Sequence, residues 1–541
     1  MQTDINALKK NFREGRHSQA IAECEALCLQ EPGNREVKRL CATMHALTRN
    51  YARSLELLEQ VHQHDPKDGD VLFNIGMCQR ELKDFKGASD TFKTYTGRFP
   101  GHPDGWAGLA ETQFHLNEFN EGLAFADRAL QLAPASVQAW TARANCQKAI
   151  GQFENALASF TQAIQLAPNE AQLKVQRGDI FDGLGKLEQA AADFKAALAL
   201  APTDGATLKK ATLCLLELDR GDEGIQLCRD ILRVDPENLT AKLGAEWLLS
   251  KLVPCWHVPM MNEDERNRPY YDALKSVVTP DKLVLEIGTG SGLLAMMAAK
   301  HGAKKVVTCE AVRLVADMAT KIIAHNGLQD RITVLAKPSF KVQLEKDLPE
   351  KADILVHEIF SSELLGEHVL PAIEDAKARL LKPGGEILPG TASIMIALVS
   401  GDELGTELHV DEAFGFDLSP FNAIHPKIRP IQREDLPRIL LSGDVEAFRF
   451  DFIGQSHFPA EKKRIEIDVV KSGLCYGVIQ WIRFEYGHGN FFENHPSRRR
   501  PVASWQQTIY RFEQPLALEA GAVVAVNALH DRTRPWFELA G

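Results

Sequence analysis

From Met1 to Asn238 apolar positions recur at helical spacing in short blocks, and the blocks themselves repeat at one constant interval, that from Pro32 to Pro66. Pro32, Pro66, Pro100, Pro134, Pro168, Pro202 and Pro236 keep that register without a slip. Twelve residues before each lies a small side chain (Ala20, Ser54, Ala88, Gly122, Ala156, Ala190, Gly224), and twenty-four before it stand Leu8, Ala42, Gly76, Ala110, Ala144, Gly178 and Thr212. The register predicts seven pairs of crossing helices that touch at these points, each pair stopped by its proline, where the missing N–H costs least. A single pair leaves an apolar face bare, so the pairs are expected to stack as a right-handed solenoid with a concave inner wall. Residues 238–252, NLTAKLGAEWLLSKL, are expected to cap it.

After Pro254 the period disappears. KLVLEIG (282–288) reads as a strand, GTGSG as a turn, LLAMMAAKHG as a helix, and KKVVTCE, ending at Glu310, as a second strand. From about Leu388 short alternating runs such as ASIMIALV, RIEIDVV and VVAVNAL predict a β-barrel. The expected layout is a solenoid over 1–238, a cap and linker over 239–256, an α/β Rossmann-like unit over 257–388 and the barrel over 389–541. The helical units resemble the tetratricopeptide repeat family, with Trp106 and Trp140 opening the first helix of a pair and Ala156 and Phe160 on the second. That resemblance implies a groove for a peptide or partner protein, against the plainer reading of a scaffold whose groove packs on the rest of the chain. Phe160 and Phe194 fall on core positions.

Charge narrows the choice of partners. The 541 residues carry 62 Lys and Arg against 73 Asp and Glu, a net charge of −11, which is opposite in sign to the footprint of a nucleic-acid binder. No run approaches the length of a membrane-spanning helix. Ten cysteines include no C-x-x-C pair and the start lacks a secretory apolar core, so a reduced cytoplasmic protein without structural zinc or other metal is expected, with a nuclear pool left open.

The chemistry gathers in the second half. Gly288, Gly290 and Gly292 let the backbone approach a ligand and open a helix N-terminus, and Glu310 stands where a ribose diol is gripped at the tip of a second strand. Leu293 replaces the last glycine of the dinucleotide fingerprint, and the spacing looks like an S-adenosylmethionine site instead. ADILVHE (352–358) puts Glu358 at the end of a strand, with Glu367 nine residues on. Two carboxylates on one pocket call for a cation between them, and a guanidinium, planar and permanently charged, meets them with forked hydrogen bonds. The plainer reading makes them solvated helix acids, as Glu363 between them reads.

The series HVPMMNEDERNRPYY (257–271), VLEIGTGSG (284–292), Glu310, HEIFSSELLGE (357–367), AFGFDLS (413–419) and ASWQQTIY (503–510) resembles the protein arginine methyltransferases, in wording closest to the branch holding the seventh and ninth human members. The resemblance spans about residues 247–541. It implies that Arg266 clamps the carboxylate of S-adenosylmethionine, that Gly288, Gly290 and Gly292 pass beneath it, that Glu310 holds its ribose, and that Glu358 and Glu367 orient an arginine of a protein substrate. Met260 on a lid segment beside His257, and Trp505, face the substrate. Where the family carries an acid against adenine this chain has Phe340, leaving Ser339 as a substitute; where it carries a loop Thr-His-Trp this chain has Ala503, Ser504 and Trp505. Phe360 in place of a methionine leans towards a monomethyl or symmetric dimethyl product. An arm near 411–430 implies a homodimer. Arg498, Arg499 and Arg500 read as a solvated basic turn. The reading from another class is a non-catalytic repeat scaffold with a relic methyltransferase fold.

Overall fold

A computed structural model describes residues 5–431, 439–487, 489–497 and 505–541. The chain divides into two compact units, Met1–Leu248 and Leu249–Gly541.

The first unit is built of antiparallel helix pairs from Ile5–Arg13 to Gly221–Val234, followed by Leu239–Leu252, which runs across the boundary. Each proline of the register sits directly after a helix C-cap, such as Glu31, Asp65, Phe99 and Ala201. Two residues beyond the proline the next helix is capped by Asn34, Asp68, Ser136, Asp204 or Asn238, whose side-chain oxygens accept the N–H three residues on. The stop and the start of consecutive helices are thus encoded side by side in the chain. The small positions are close contacts: a Cβ on Gly76 would lie 2.9 Å from the Phe92 ring and one on Gly178 2.7 Å from the Phe194 ring. Both phenylalanines are fully buried.

The second unit opens with a five-stranded parallel sheet made of Leu283–Ile287 (β1), Lys305–Cys309 (β2), Ile332–Leu335 (β3), Ala352–His357 (β4) and Leu381–Leu388 (β5), ordered β3-β2-β1-β4-β5. β1 and β4 are buried almost throughout, as expected of strands covered on both faces. The order reverses between β1 and β4, and open α/β sheets bind ligands at the carboxyl ends of such a pair. The sequence of β1 runs into Gly288 and that of β4 into Glu358, so the topology brings the glycine loop and the first acid to one crevice.

Beyond β5 the strands are antiparallel. Thr391–Ser400, Gly473–Gly487 and Thr508–Leu518 form the centre of a seven-stranded sheet, while Glu461–Asp468, Val523–His530 and Pro535–Leu539 make a three-stranded sheet. Among the described residues no ladder closes these strands into the expected barrel. Two sheets sharing a core of Phe448, Phe450, Ile467, Val526 and Phe537 satisfy the same alternating pattern. No helix among the described residues is long and apolar enough to cross a membrane.

Candidate functional site

β1 ends at Ile287, and the three glycines that follow all have positive φ: 88° at Gly288, 51° at Gly290 and 82° at Gly292. They differ in what surrounds them. A Cβ on Gly288 would sit 2.7 Å from Ile359 Cγ2 and 3.2 Å from the Glu358 carbonyl oxygen, so this glycine lets the loops after β1 and β4 touch. Gly290 has open space where its Cβ would be. Its N–H donates to Glu310 Oε2 (3.1 Å), and Val312 N–H donates to Oε1 (2.9 Å), which fixes the Glu310 carboxylate at the end of β2. Gly292 caps the helix Leu293–Lys300.

A cavity of about 740 Å³ lies over this loop, and its walls include Gly288, Gly290, Glu310, Ser339, Glu358 and Glu367. A second cavity of about 280 Å³ is lined by Phe360, Glu363, Trp505 and Thr508. Trp256, Met260, Glu358 and Glu367 line both, so the two cavities meet at the paired glutamates. Ser339 is buried in a short 3-10 turn on the first cavity, and Phe340 beside it is exposed. Met260 sits on the short helix His257–Asn262, at whose start the Trp256 and His257 rings stack 4.1 Å apart.

The charges are arranged around Arg266. This residue, on the helix Asp264–Val277, is 3 % exposed; it pairs with Glu358 through Nη2, donates to Asn267 Oδ1 (2.8 Å) through Nη1, and lies 4.7 Å from the centre of the Trp505 ring. Its Nε has no hydrogen-bond partner. Burial pushes the Glu358 carboxyl up to about 7, against the pull of Arg266 and with further repulsion from Glu367. Desolvation raises Glu367 as well, followed by repulsion from Glu310; the residue is exposed and lines both cavities. The loop that carries both acids is strained: Leu364, Glu367 and His368 have positive φ, a conformation that clusters at functional sites. Ser361 Oγ accepts from Gly366 N–H and Ser362 Oγ from Gln506 N–H, both at 3.0 Å, which ties the loop together and to the segment bearing Trp505. Trp505 donates its indole N–H to the Phe360 carbonyl (3.0 Å) and packs edge to face on Phe484.

Of the described site residues proposed from the sequence, all but Gly292 line one of the two cavities, and Gly292 caps the helix that follows the loop. Ala503, Ser504 and Arg498–Arg500 lie outside the described residues. Three residues were not anticipated. Glu286 in β1 is buried, lines the first cavity, and is pushed up to about 8 by desolvation. Tyr270, one turn after Arg266, donates its hydroxyl to the His357 carbonyl (3.0 Å) and anchors the arginine's helix to the end of β4. Glu363, read as a solvated acid, instead lines the second cavity, where burial raises its carboxyl and Arg534 opposes the rise. The hydrophobic run VLEI holding Glu286 was the available signal for the first; nothing in the sequence marks the others.

Comparison with known proteins agrees with this architecture. The family model of ribosomal protein L11 methyltransferase (PrmA) matches residues 271–392, and tetratricopeptide repeat models match 46–107, 84–137, 141–205 and 175–238. An arginine N(omega)-methyltransferase of Streptomyces achromogenes subsp. streptozoticus is 34 % identical over 55 % of this chain and 82 % of its own length. Protein arginine N-methyltransferase 7 of Gallus gallus is 29 % identical over 52 % of this chain, which spans 45 % of that relative. The solved Trypanosoma brucei PRMT1 enzyme-prozyme complex with AdoHcy is 23 % identical over 52 % of this chain and 92 % of that one, with a TM-score of 0.45. With its repeats ahead of a catalytic core that matches the Streptomyces enzyme over most of its length, the chain belongs to the arginine methyltransferase family.

Proposed function

We propose that this protein transfers a methyl group from S-adenosylmethionine to a guanidine nitrogen of arginine in protein substrates, an EC 2.1.1 reaction. The observation that carries the reading is the meeting of two cavities at Glu358 and Glu367. The first fits a ligand with an anionic head and a cationic centre: Arg266 Nε is a buried donor without a partner, Gly290 leaves its side open, and Glu286, Glu310, Glu358 and Glu367 face the same space. S-adenosylmethionine, when bound, supplies an electrophilic methyl on a positively charged sulfur.

Arg266 would hold the amino-acid carboxylate, Glu310 the ribose hydroxyls, and Ser339 with Phe340 the purine. In the second cavity Glu358 and Glu367 take the guanidinium by forked hydrogen bonds, fix its rotation and draw its charge to the nitrogens they touch, leaving lone-pair density on the nitrogen aimed at the first cavity. The reaction is an in-line displacement, so most of the acceleration comes from this positioning. Nitrogen gains carbon and must lose a proton, and Glu358, held near 7, is a base matched to neutral pH. Met260 and Trp505 close the guanidinium's apolar faces, and the Phe360 ring beside them favours a monomethyl or symmetric dimethyl product.

Free arginine is the second reading, because the Streptomyces relative is named for arginine rather than protein arginine. A relic scaffold is disfavoured: a fold without catalytic demand has no physical reason to keep two like-charged acids together on a strained loop. Phe414 (99 % exposed), Phe416, Phe421 and Ile424 form an apolar arm suited to a second copy of the chain, and the repeat groove is proposed to hold a peptide or partner protein. The test is product mass spectrometry after incubation with S-adenosylmethionine and either an arginine-rich peptide or free L-arginine. Methylated peptide supports the protein-substrate reading, and methylation of free arginine alone replaces it.

A further inference from the structure

The cysteine spacing that argued against structural zinc takes a different meaning once the helices are in place. Cys24 and Cys28 stand four residues apart on the helix His17–Gln30, and Cys41 and His45 four apart on the next helix, Arg35–Leu47. Side chains at that spacing share a helix face. The two faces are turned to one another, and all four residues are buried. Cys41 Sγ, a ring nitrogen of His45 and a carboxylate oxygen of Glu25 also fall within 4.8 Å of one another.

The repeat itself supplies the comparison that makes this unusual. Moving one repeat at a time, the place of Cys24 is taken by Leu58, Phe92, Ala126, Phe160, Phe194 and Cys228, and that of Cys28 by His62, Thr96, Leu130, Ile164, Leu198 and Leu232. Cys41 corresponds to Ile75, Leu109, Arg143, Arg177 and Ala211, and His45 to Gln79, Gln113, Gln147, Phe181 and Leu215. Packing at these positions is met elsewhere by apolar, amide or Arg side chains except at His62, Thr96 and Cys228, and no other interface gathers soft donors at all four.

We propose that the interface between these two helices binds a thiophilic divalent ion, with Zn²⁺ as the natural occupant, through Cys41, His45 and Glu25, a thiolate of Cys24 or Cys28 turning in as the fourth ligand. Thiolate, imidazole and carboxylate on facing helices are the donors of a closed tetrahedral zinc site. His45 Nε2 now faces Glu25 Oε1 at 2.8 Å, and the ion takes the place of the proton between them. Arg53 already grips Glu25 through Nε (2.7 Å) and Nη2 (2.6 Å), an outer partner that orients the carboxylate and offsets the charge of the thiolates. Asn50 Nδ2 lies 3.3 Å from His45 Nδ1 and holds the ring from its other side.

The experiment uses the full-length chain and does not depend on methyl transfer. Zinc is quantified by elemental mass spectrometry after gel filtration in EDTA, for the native protein, Cys41→Ser and Cys146→Ser, with helicity checked by circular dichroism. Retention of about one zinc per chain, as a single closed site requires, in the native protein and Cys146→Ser but not in Cys41→Ser supports the site. Equal content in all three, or none in the native protein, overturns it. Should Cys41→Ser fail to fold, Co²⁺ titration of the native chain decides alone: intense visible bands of tetrahedral thiolate-bound Co²⁺ support the proposal, and their absence defeats it.

Discussion

The solenoid and the catalytic unit solve opposite problems. In the solenoid each side chain answers to a neighbour one repeat away or closer, so a stop proline, a cap two residues on and a glycine beneath a phenylalanine suffice, and the motif recurs. In the catalytic unit Arg266, Glu310, Glu358 and Trp505 come from distant parts of the chain and meet only because the parallel sheet reverses its order between β1 and β4. Repetition spreads a structural fault over many equivalent contacts, whereas convergence concentrates it on a few.

The largest effect should come from the convergence point. Gly288→Ala combines φ +88° with a Cβ 2.7 Å from Ile359, so the loops after β1 and β4 must part. Misplacing groups by an ångström at such a site costs on the order of a hundredfold in turnover, to be read from initial rates at saturating cofactor. Phe194→Ala tests the other side. Loss of a fully buried ring should cost about 3–5 kcal/mol of stability in the solenoid by denaturant unfolding, with less effect on turnover than Gly288→Ala.

A subtler contrast lies in pH. Glu286 has its carboxyl raised to about 8 in the folded protein, so the native state holds a proton that the unfolded chain has released, and its contribution to stability falls as pH rises from about 4.5 to 8. Glu286→Gln should remove that decline, melting higher than the native protein at pH 8.5 and close to it at pH 5. The smallest effect belongs to a solenoid cap. Asp204 accepts from Ala206 N–H and Thr207 N–H, and these bonds with the Thr207 hydroxyl lower its carboxyl; its contribution is present above the unfolded value and lost as pH falls through the folded one. Asp204→Ala should cost about 1 kcal/mol near pH 7 in the same unfolding assay, and less in acid.

The same contrast decides what the sequence discloses. Helix ends in the first half are local chemistry, visible as proline, spacer and cap. The glycine loop and Glu358 are visible because they terminate apolar runs, which the sheet then aligns. Glu363 escaped because a carboxylate in a loop looks solvated until the segment bearing Trp505 folds over it, and Tyr270 because its partner, the His357 carbonyl, lies 87 residues away. Closure into a barrel is not legible in the same way: alternation fixes which face of a strand is buried, not whether the last strand returns to the first. The donors gathered at Cys41 and His45 carry no C-x-x-C signature because they follow the pitch of a helix rather than the spacing of a loop.

The central claim is that Glu358 and Glu367 act together on a guanidinium placed between two cavities. Fragment mass spectrometry of an arginine-rich peptide incubated with S-adenosylmethionine should show methyl on arginine with the native chain, and a loss of roughly 10²-fold or more in both Glu358→Gln and Glu367→Gln, while calorimetry still records cofactor binding in each variant. Methyl transfer undiminished in either variant would contradict the account.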